Sequence, residues 1–271
     1  MRLQQGVVHA DETPVQMLVP GKGKTQRAYV WAHAATQFAD IRAVVYEFAD
    51  SCAGEHAREF LGKWRGKPVC DDYSAYKAGF ELGITEIRCM AHARRKFFEV
   101  QANHKRQIAE QALGYFGMLY DVERDITELK PEHRREVRQE RARPIADALH
   151  AWLLAQRKRV CEGSAIAKAL DYSLKRWDAL TRYLTDGYVP IDNNGLENQI
   201  RPWARGRANG LFAGSLRAGK RAAAIMSLIR SAQLNGHDPY VYLKDVLSRL
   251  PTHRADDIAA LLPHRWAPVA A

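Results

Sequence analysis

Cysteine is scarce in this chain: four among 271 residues, at positions 52, 70, 89 and 161. None belongs to a CxxC pair and no regular framework joins them, which argues against a disulfide scaffold and for a reduced cytoplasmic setting. Long apolar runs are also missing. No segment reaches the about 18 uninterrupted apolar residues of a membrane span, and MRLQQGVVHADETPV lacks the apolar core of a secretory signal. A soluble protein without a membrane partner is expected. Internal repeats and low-complexity tracts are absent. The most informative absence is local. Between Arg201 and His237 there is not one acidic residue, while Arg201, Arg205, Arg207, Arg217, Lys220, Arg221, Arg230 and His237 all fall there. Over the whole chain Lys and Arg (41) exceed Asp and Glu (31), a formal charge of +10 that favours a polyanionic partner.

The first hundred residues read as a mixed sheet with helices. GVVHADETPVQML is a strand ending near Pro14, Gly21 and Gly23 make a turn, and RAYVWAHAAT and DIRAVVYEFAD continue an antiparallel meander. AGEHAREFLGKW is helical, with Ser51 as its N-cap. KPVCDDYSAY returns to strand after a crossover, and ITEIRCMAH is a fifth short strand running into the helix ARRKFFEVQ. From about His104 to Thr185 the pattern becomes long and amphipathic, predicting three helices with Pro131, Pro144 and Gly163 at a start, a kink and a break. A helix carrying Glu197 follows until Pro202 disturbs it. Gly206, Gly210, Gly214 and Gly219 then predict a flexible basic loop. Two last helices meet at an Asn235-Gly236 C-cap. The boundaries expected are a core over 1–103, a helical insertion over 104–185, a return to the core over 186–225 and a helical segment over 226–271.

Three acids stand in unusual contexts: Asp11 in VVHADETPV, Asp71 in KPVCDDYSAY and Glu197 in IDNNGLENQIRPWARGR. The two aspartates close β-branched apolar runs, so their carboxylates should project from neighbouring strand ends, with Glu197 at a turn-to-helix junction. Carboxylates brought together bind hard cations such as Mg²⁺, for which Mn²⁺ substitutes. A pair of ions roughly 3.5–4 Å apart clamps the attacking and leaving oxygens of a phosphoryl displacement. The chemistry indicated is cutting or joining of nucleic acid. Each acid also has a plainer reading: Asp11 as a turn residue before Thr13-Pro14, Asp71 and Asp72 as a solvated pair, and Glu197 as part of an Asn194-x-x-Glu197 capping box or an ion pair with Arg201.

The segments HADETPVQ, DDYSAY, RCMAHARRKFFE, IDNNGLENQIRP, GRANGLFAGS and NGHDPYVYLKDVLSRL occur here in that order. In them the chain resembles the catalytic part of the insertion-sequence 66 family of bacterial DDE transposases. That resemblance implies an α/β, RNase H-like catalytic domain with a five-stranded mixed sheet, interrupted by a helical insert before the last acid. It implies Asp11, Asp71 and Glu197 as the catalytic, metal-binding triad, holding two Mg²⁺ ions. Asp71 is preferred over Asp72 by its spacing to Tyr73 and Tyr76. Asn198, Ala208, Gly210 and Met90 depart from the family's usual residues, and the family's long N-terminal DNA-recognition region is not in this sequence.

The expected activity is cleavage and transfer of DNA strands in transposition, with double-stranded DNA of element ends and target as partner. The active form is expected to be a homo-oligomer, with accessory proteins of the same element as further partners. The alternatives are a DNA-binding remnant without activity and a metal-dependent nuclease of the same fold. Candidate DNA contacts are Arg94, Arg95 and Lys96 on one helix, for which plain solvated surface is the equal alternative, and Arg201, Arg205, Arg207, Arg217, Lys220 and Arg221 in the basic loop. Cys89 and His92 offer half a zinc site without a second pair, so a packed cysteine and a helix-start histidine are expected. The run HRREVRQERAR mixes both signs at helical spacing and predicts an exposed, salt-bridged face.

Overall fold

The computed structural model describes residues 6–19, 21–51, 54–71, 83–104, 107–210 and 212–268. Its strands form one mixed five-stranded sheet in the order β3-β2-β1-β4-β5, the α/β class expected. The chain divides into two compact units. The first runs to Gly66 and resumes at Gly195; the second holds residues 67–71 and 85–194.

In the first unit β1 (Val7–Val19), β2 (Lys24–Ala35) and β3 (Val44–Ala49) make the predicted antiparallel meander. The β1–β2 turn carries Gly21 and Gly23 at φ 77° and 58°, backbone that suits glycine. β1 does not stop near Pro14 but runs through it, paired with Tyr29. The Pro14 carbonyl accepts a hydrogen bond from Arg207 at 2.9 Å. Because a strand residue directs its N–H and C=O to the same side, Pro14 faces away from β2, where its missing N–H breaks no ladder bond. Gln16 and Leu18 keep that parity, bonding Ala213 at 2.8 Å each.

Opposite residues share a face, so the row Asp11, Ala32, Tyr46 lies on one side of the meander. That side packs beneath α8 (Asn194–Gly210) through Leu196, Ile200 and Trp203, an i, i+4, i+7 stripe. Here the sequence reading is corrected twice. α8 continues past Pro202 to Gly210, and α9 (Leu216–Leu234) begins at Ser215, whose hydroxyl accepts from Ala218 N–H. The expected loop from Arg205 to Arg221 shrinks to a few residues. Most helical stability in a protein comes from packing an apolar face, and Trp203 against Tyr46, with ring centroids 5.7 Å apart, supplies it where propensity opposes it. α9 then lies along the edge strand β3. Gly219, Ala223, Ser227 and Ser231, four apart, meet it in turn. A Cβ on Gly219 would stand 2.5 Å from the Phe48 ring. The Ser227 hydroxyl accepts from Tyr46 N–H at 2.8 Å, and that of Ser231 both accepts from and donates to the Val44 backbone at 3.0 Å. Two serines thus satisfy backbone groups of an otherwise open sheet edge. α9 ends at the predicted Asn235 cap, and α10 (Pro239–Arg249) packs Tyr242 and Val246 against Trp266. Near the first strands, α1 (Gly54–Leu61) starts beyond Ser51, whose hydroxyl lies 2.9 Å from the His56 ring in its first turn.

The second unit holds β4 (Lys67–Cys70) and β5 (Ile87–Arg88), paired in parallel. The remainder of KPVCDDYSAY, with Asp72, Tyr73 and Tyr76, falls outside the described residues. The helices are α2 (Met90–His104), α3 (Gln107–Asp125), α4 (Pro131–Val137), α5 (Arg143–Arg157), α6 (Ala165–Lys175) and α7 (Trp177–Thr181). Pro131 and Gly163 fall at a helix start and a break, as expected. Pro144 lies in the first turn of α5, directly after a π-helical turn over Arg138–Ala142, whose extra residue per turn makes room for the ring and its absent N–H.

The charge run in this unit is the exposed face expected, with Arg141 paired to Asp125 at 2.6 Å, except at two arginines. Arg134 and Arg138 are 4% and 0% exposed. Arg138 binds both Glu123 oxygens, at 2.8 and 2.6 Å, and donates to the carbonyls of Tyr183, Asp186 and Val189 at 2.9, 2.8 and 2.9 Å. Arg134 donates to the backbone of Thr127 and Leu129, at 3.1 and 2.6 Å, and to the Gly187 carbonyl. Gly187 itself is fixed by space, since a Cβ there would run into the Pro131 backbone. Gly187→Ala is therefore expected to lower stability by about 1–3 kcal/mol, the usual range for overpacking. A fall in urea midpoint at unchanged slope would show it; an unchanged midpoint would contradict it.

Candidate functional site

Asp11 sits on β1, half-buried, on the face that α8 covers. One of its carboxylate oxygens accepts from the Glu12 N–H at 2.8 Å, one of the backbone groups of β1 that turn away from β2. This bond orients the carboxylate. Glu197 occupies the first turn of α8 and is also half-buried. α8 approaches β1 beside these acids: a Cβ on Gly195 would lie 3.4 Å from the buried His9 ring. Glu197 is two residues past Gly195, and Asp11 two past His9 on the same strand face. The helix start is held by Asp192, whose carboxylate accepts from the Asn194 backbone N–H at 3.0 Å and its side-chain amide at 2.7 Å. The Asn194 N–H that a capping box would direct to Glu197 goes to Asp192.

Asp71 belongs to the second unit, directly after β4, and is half-buried. Its backbone carbonyl accepts from Arg88 on β5, which is 2% exposed and also paired with Glu86. Glu12, which the sequence reading passed over, offers a carboxylate oxygen within 4.8 Å of one from Asp11. The signal for it was its adjacency to Asp11, hidden because neighbours on a strand alternate faces. Oxygen-only donors of this kind suit Mg²⁺ or Mn²⁺ and not a thiolate-seeking metal. Cys89 and His92 approach within 4.8 Å in the second unit. Burial pushes the Cys89 thiol up to about 12, and its sulfur accepts from the Asn193 N–H at 3.2 Å, which fits the packed cysteine expected. His33 is buried on β2, and desolvation drives it down to about 3, so it is neutral.

The basic residues divide by element. Arg94, Arg95 and Lys96 are exposed on α2, with the Lys96 ammonium 5.9 Å from the Tyr172 ring centroid. Arg201, Arg205 and Arg207 are exposed on α8, and Arg217, Lys220 and Arg221 lie in the first turns of α9. They are presented by helices, not by the expected loop. Arg207 differs from the others in anchoring α8 to Pro14 of β1.

This mixed-sheet α/β chain bears half-buried carboxylates and exposed basic helices, and it matches a known family. Residues 2–221 match the Transposase IS66 family and residues 227–264 the IS66 C-terminal element. The chain belongs to the IS66 family of transposases. It is 34% identical over 278 residues to the uncharacterized protein y4hP of Sinorhizobium fredii, covering 96% of this chain and 50% of that protein. It is 33% identical over 276 residues to the uncharacterized protein y4jD of the same organism, covering 96% and 53%. The chain thus spans about half the length of these curated relatives. Among the described residues no helix is long and apolar enough to cross a membrane.

Proposed function

We propose that this chain is the catalytic part of a DDE transposase, cutting and joining DNA at the ends of its own insertion sequence. The observation that supports the reading is the close approach of Gly195 on α8 to His9 on β1, each two residues before a candidate acid, Glu197 and Asp11, within the matched family segment. The core is read as RNase H-like, with residues 104–185 inserted into it. Asp71 completes the triad from the end of β4. Asp11, Asp71 and Glu197 would hold two Mg²⁺ ions, which when bound supply a nucleophilic oxygen and neutralise charge developing on the phosphoryl group. The chain's own residues bind and orient. Asp11 is held in position by the Glu12 N–H, and Glu197 by the rigid first turn of α8. The exposed arginines of α2, α8 and α9 position the phosphate backbone. In cleavage, water displaces the 3′-oxygen from phosphorus and the proton passes to that oxygen. In joining, the freed 3′-hydroxyl displaces an equivalent oxygen in target DNA. Cleavage is a hydrolysis that leaves a 5′-phosphate, and in joining one phosphodiester forms for the one broken, so neither step needs an external energy source. The protein acts in the cytoplasm, as a homo-oligomer holding two ends.

The test is strand joining with a pre-cleaved end in Mg²⁺ and in EDTA. Joined product in Mg²⁺ alone is expected. Hydrolysis without joining would make the protein a nuclease, and binding without either reaction would reduce it to a DNA-binding protein. Duplex binding should weaken with salt at a log–log slope of about −0.9 for each phosphate neutralised. A salt-independent affinity would remove the basic helices from the interface.

A further inference from the structure

The second unit contains a groove of about 490 Å³ between α2 and α3. Three guanidiniums line it, Arg94 and Arg95 from α2 and Arg124 from α3, and among the described residues no carboxylate does. Phe98, one turn beyond Arg94 and Arg95, leaves 53% of its surface in solvent. The floor is open because Gly117 has no side chain: a Cβ there would meet nothing within 4 Å. Packing thus gives no reason for a helix-weakening glycine in the middle of α3. Tyr120, one turn further, is fixed by donating its hydroxyl to Asp192 at 2.8 Å, so its ring forms a rigid wall. Arg124 pairs with Asp121, but both side chains are exposed, at 70% and 59%, and a pair so solvated yields readily to phosphate.

Bases in a duplex have both faces stacked and cannot reach an aromatic ring set in a groove. A duplex backbone would use the arginines and leave Phe98 idle. An unpaired nucleotide uses both, its phosphates on the guanidiniums and its base on the ring. The volume lies within the roughly 300–1,000 Å³ of small-ligand sites, enough for one nucleotide and not for a helix of DNA. We propose that the α2–α3 groove seats one unpaired nucleotide of a DNA strand, with Arg94, Arg95 and Arg124 on its phosphates and Phe98 on its base. The proposal rests on the reading that this chain handles DNA, and adds a single-strand subsite to it.

Fluorescence anisotropy on the full chain, with a blunt hairpin duplex and the same hairpin carrying a short unpaired 3′ tail, tests it. The unaltered chain should prefer the tailed DNA. Phe98→Ala should weaken binding of the tailed DNA by roughly 5- to 150-fold, the range for one lost base stack, and leave blunt binding unchanged, while Phe98→Trp retains the preference. Gly117→Leu, whose Cβ would meet nothing within 4 Å, puts a side chain into the groove and should abolish the preference; since Phe98 is exposed, Phe98→Ala carries the test even if the leucine variant misfolds. Equal affinity for the two DNAs, or a tail preference untouched by Phe98→Ala, overturns the groove while blunt binding keeps the DNA-handling reading intact. Failure to bind either DNA overturns both.

Discussion

Glu197→Gln is expected to lower strand cleavage and joining by about 10³-fold or more while leaving thermal unfolding unchanged. The several kcal/mol of charge stabilisation that a bound cation gives a phosphoryl transfer depends on its carboxylates, and each 1.36 kcal/mol is tenfold in rate. Glutamine keeps the shape and hydrogen-bonding capacity of glutamate and removes only the charge. The helix does not need that charge, because Asp192 takes the Asn194 N–H at its start. Asp11→Asn and Asp71→Asn should match Glu197→Gln, and the double variants should be no worse than the singles, since ligands of one metal pair act as a unit. Single-turnover cleavage in Mg²⁺, read beside a melting curve, decides it. Activity within tenfold of the unaltered chain would remove Glu197 from the site. A large drop in melting temperature would return it to a structural role.

The second large effect is expected at Arg138. Replacing it with methionine leaves Glu123, itself 8% exposed, as an uncompensated buried charge, and leaves three carbonyls without their shared donor. Breaking a buried pair from one side costs about 3–5 kcal/mol. Lysine should fail nearly as badly, since one ammonium cannot span a bidentate carboxylate and three carbonyls. Removing the stranded charge as well, in Arg138→Met with Glu123→Leu, should recover part of the loss. Recovery stays partial because the carbonyls remain unpaired. Urea denaturation followed by circular dichroism measures each term. An Arg138→Met protein as stable as the parent would show that the network contributes nothing.

Arg138 also shows where sequence reading stops. In HRREVRQERAR both signs recur at helical spacing, the pattern of a solvated face, and no window of that length contains Glu123, Tyr183, Asp186 or Val189. The same limit applies to α8. Pro202, Gly206 and Gly210 each oppose a helix locally, and only Tyr46 and its neighbours across the sheet make the helix worth keeping. Pro14 is a third case, since its tolerance depends on which way its carbonyl turns. By contrast the meander strands, the Pro131 start, the Gly163 break and the Asn235 cap were legible, because each rests on residues adjacent to it. Asp11 and Glu197 were legible as candidates through motif spacing; Glu12 and Asp192 were not, since neither breaks any local rule.

By itself the sequence determined the class of fold and the order of its elements, because periodicity and turn chemistry are local properties of the chain, and its motifs carried the family resemblance that implies three acids worth testing. Tertiary structure alone decided that α8 runs unbroken over the meander, that Gly195 against His9 brings the Glu197 turn to the Asp11 strand, and that two arginines of a charged run are buried. Those outcomes depend on partners more than 30 residues away in the case of α8 and β1, and on packing free energy that outweighs local preference.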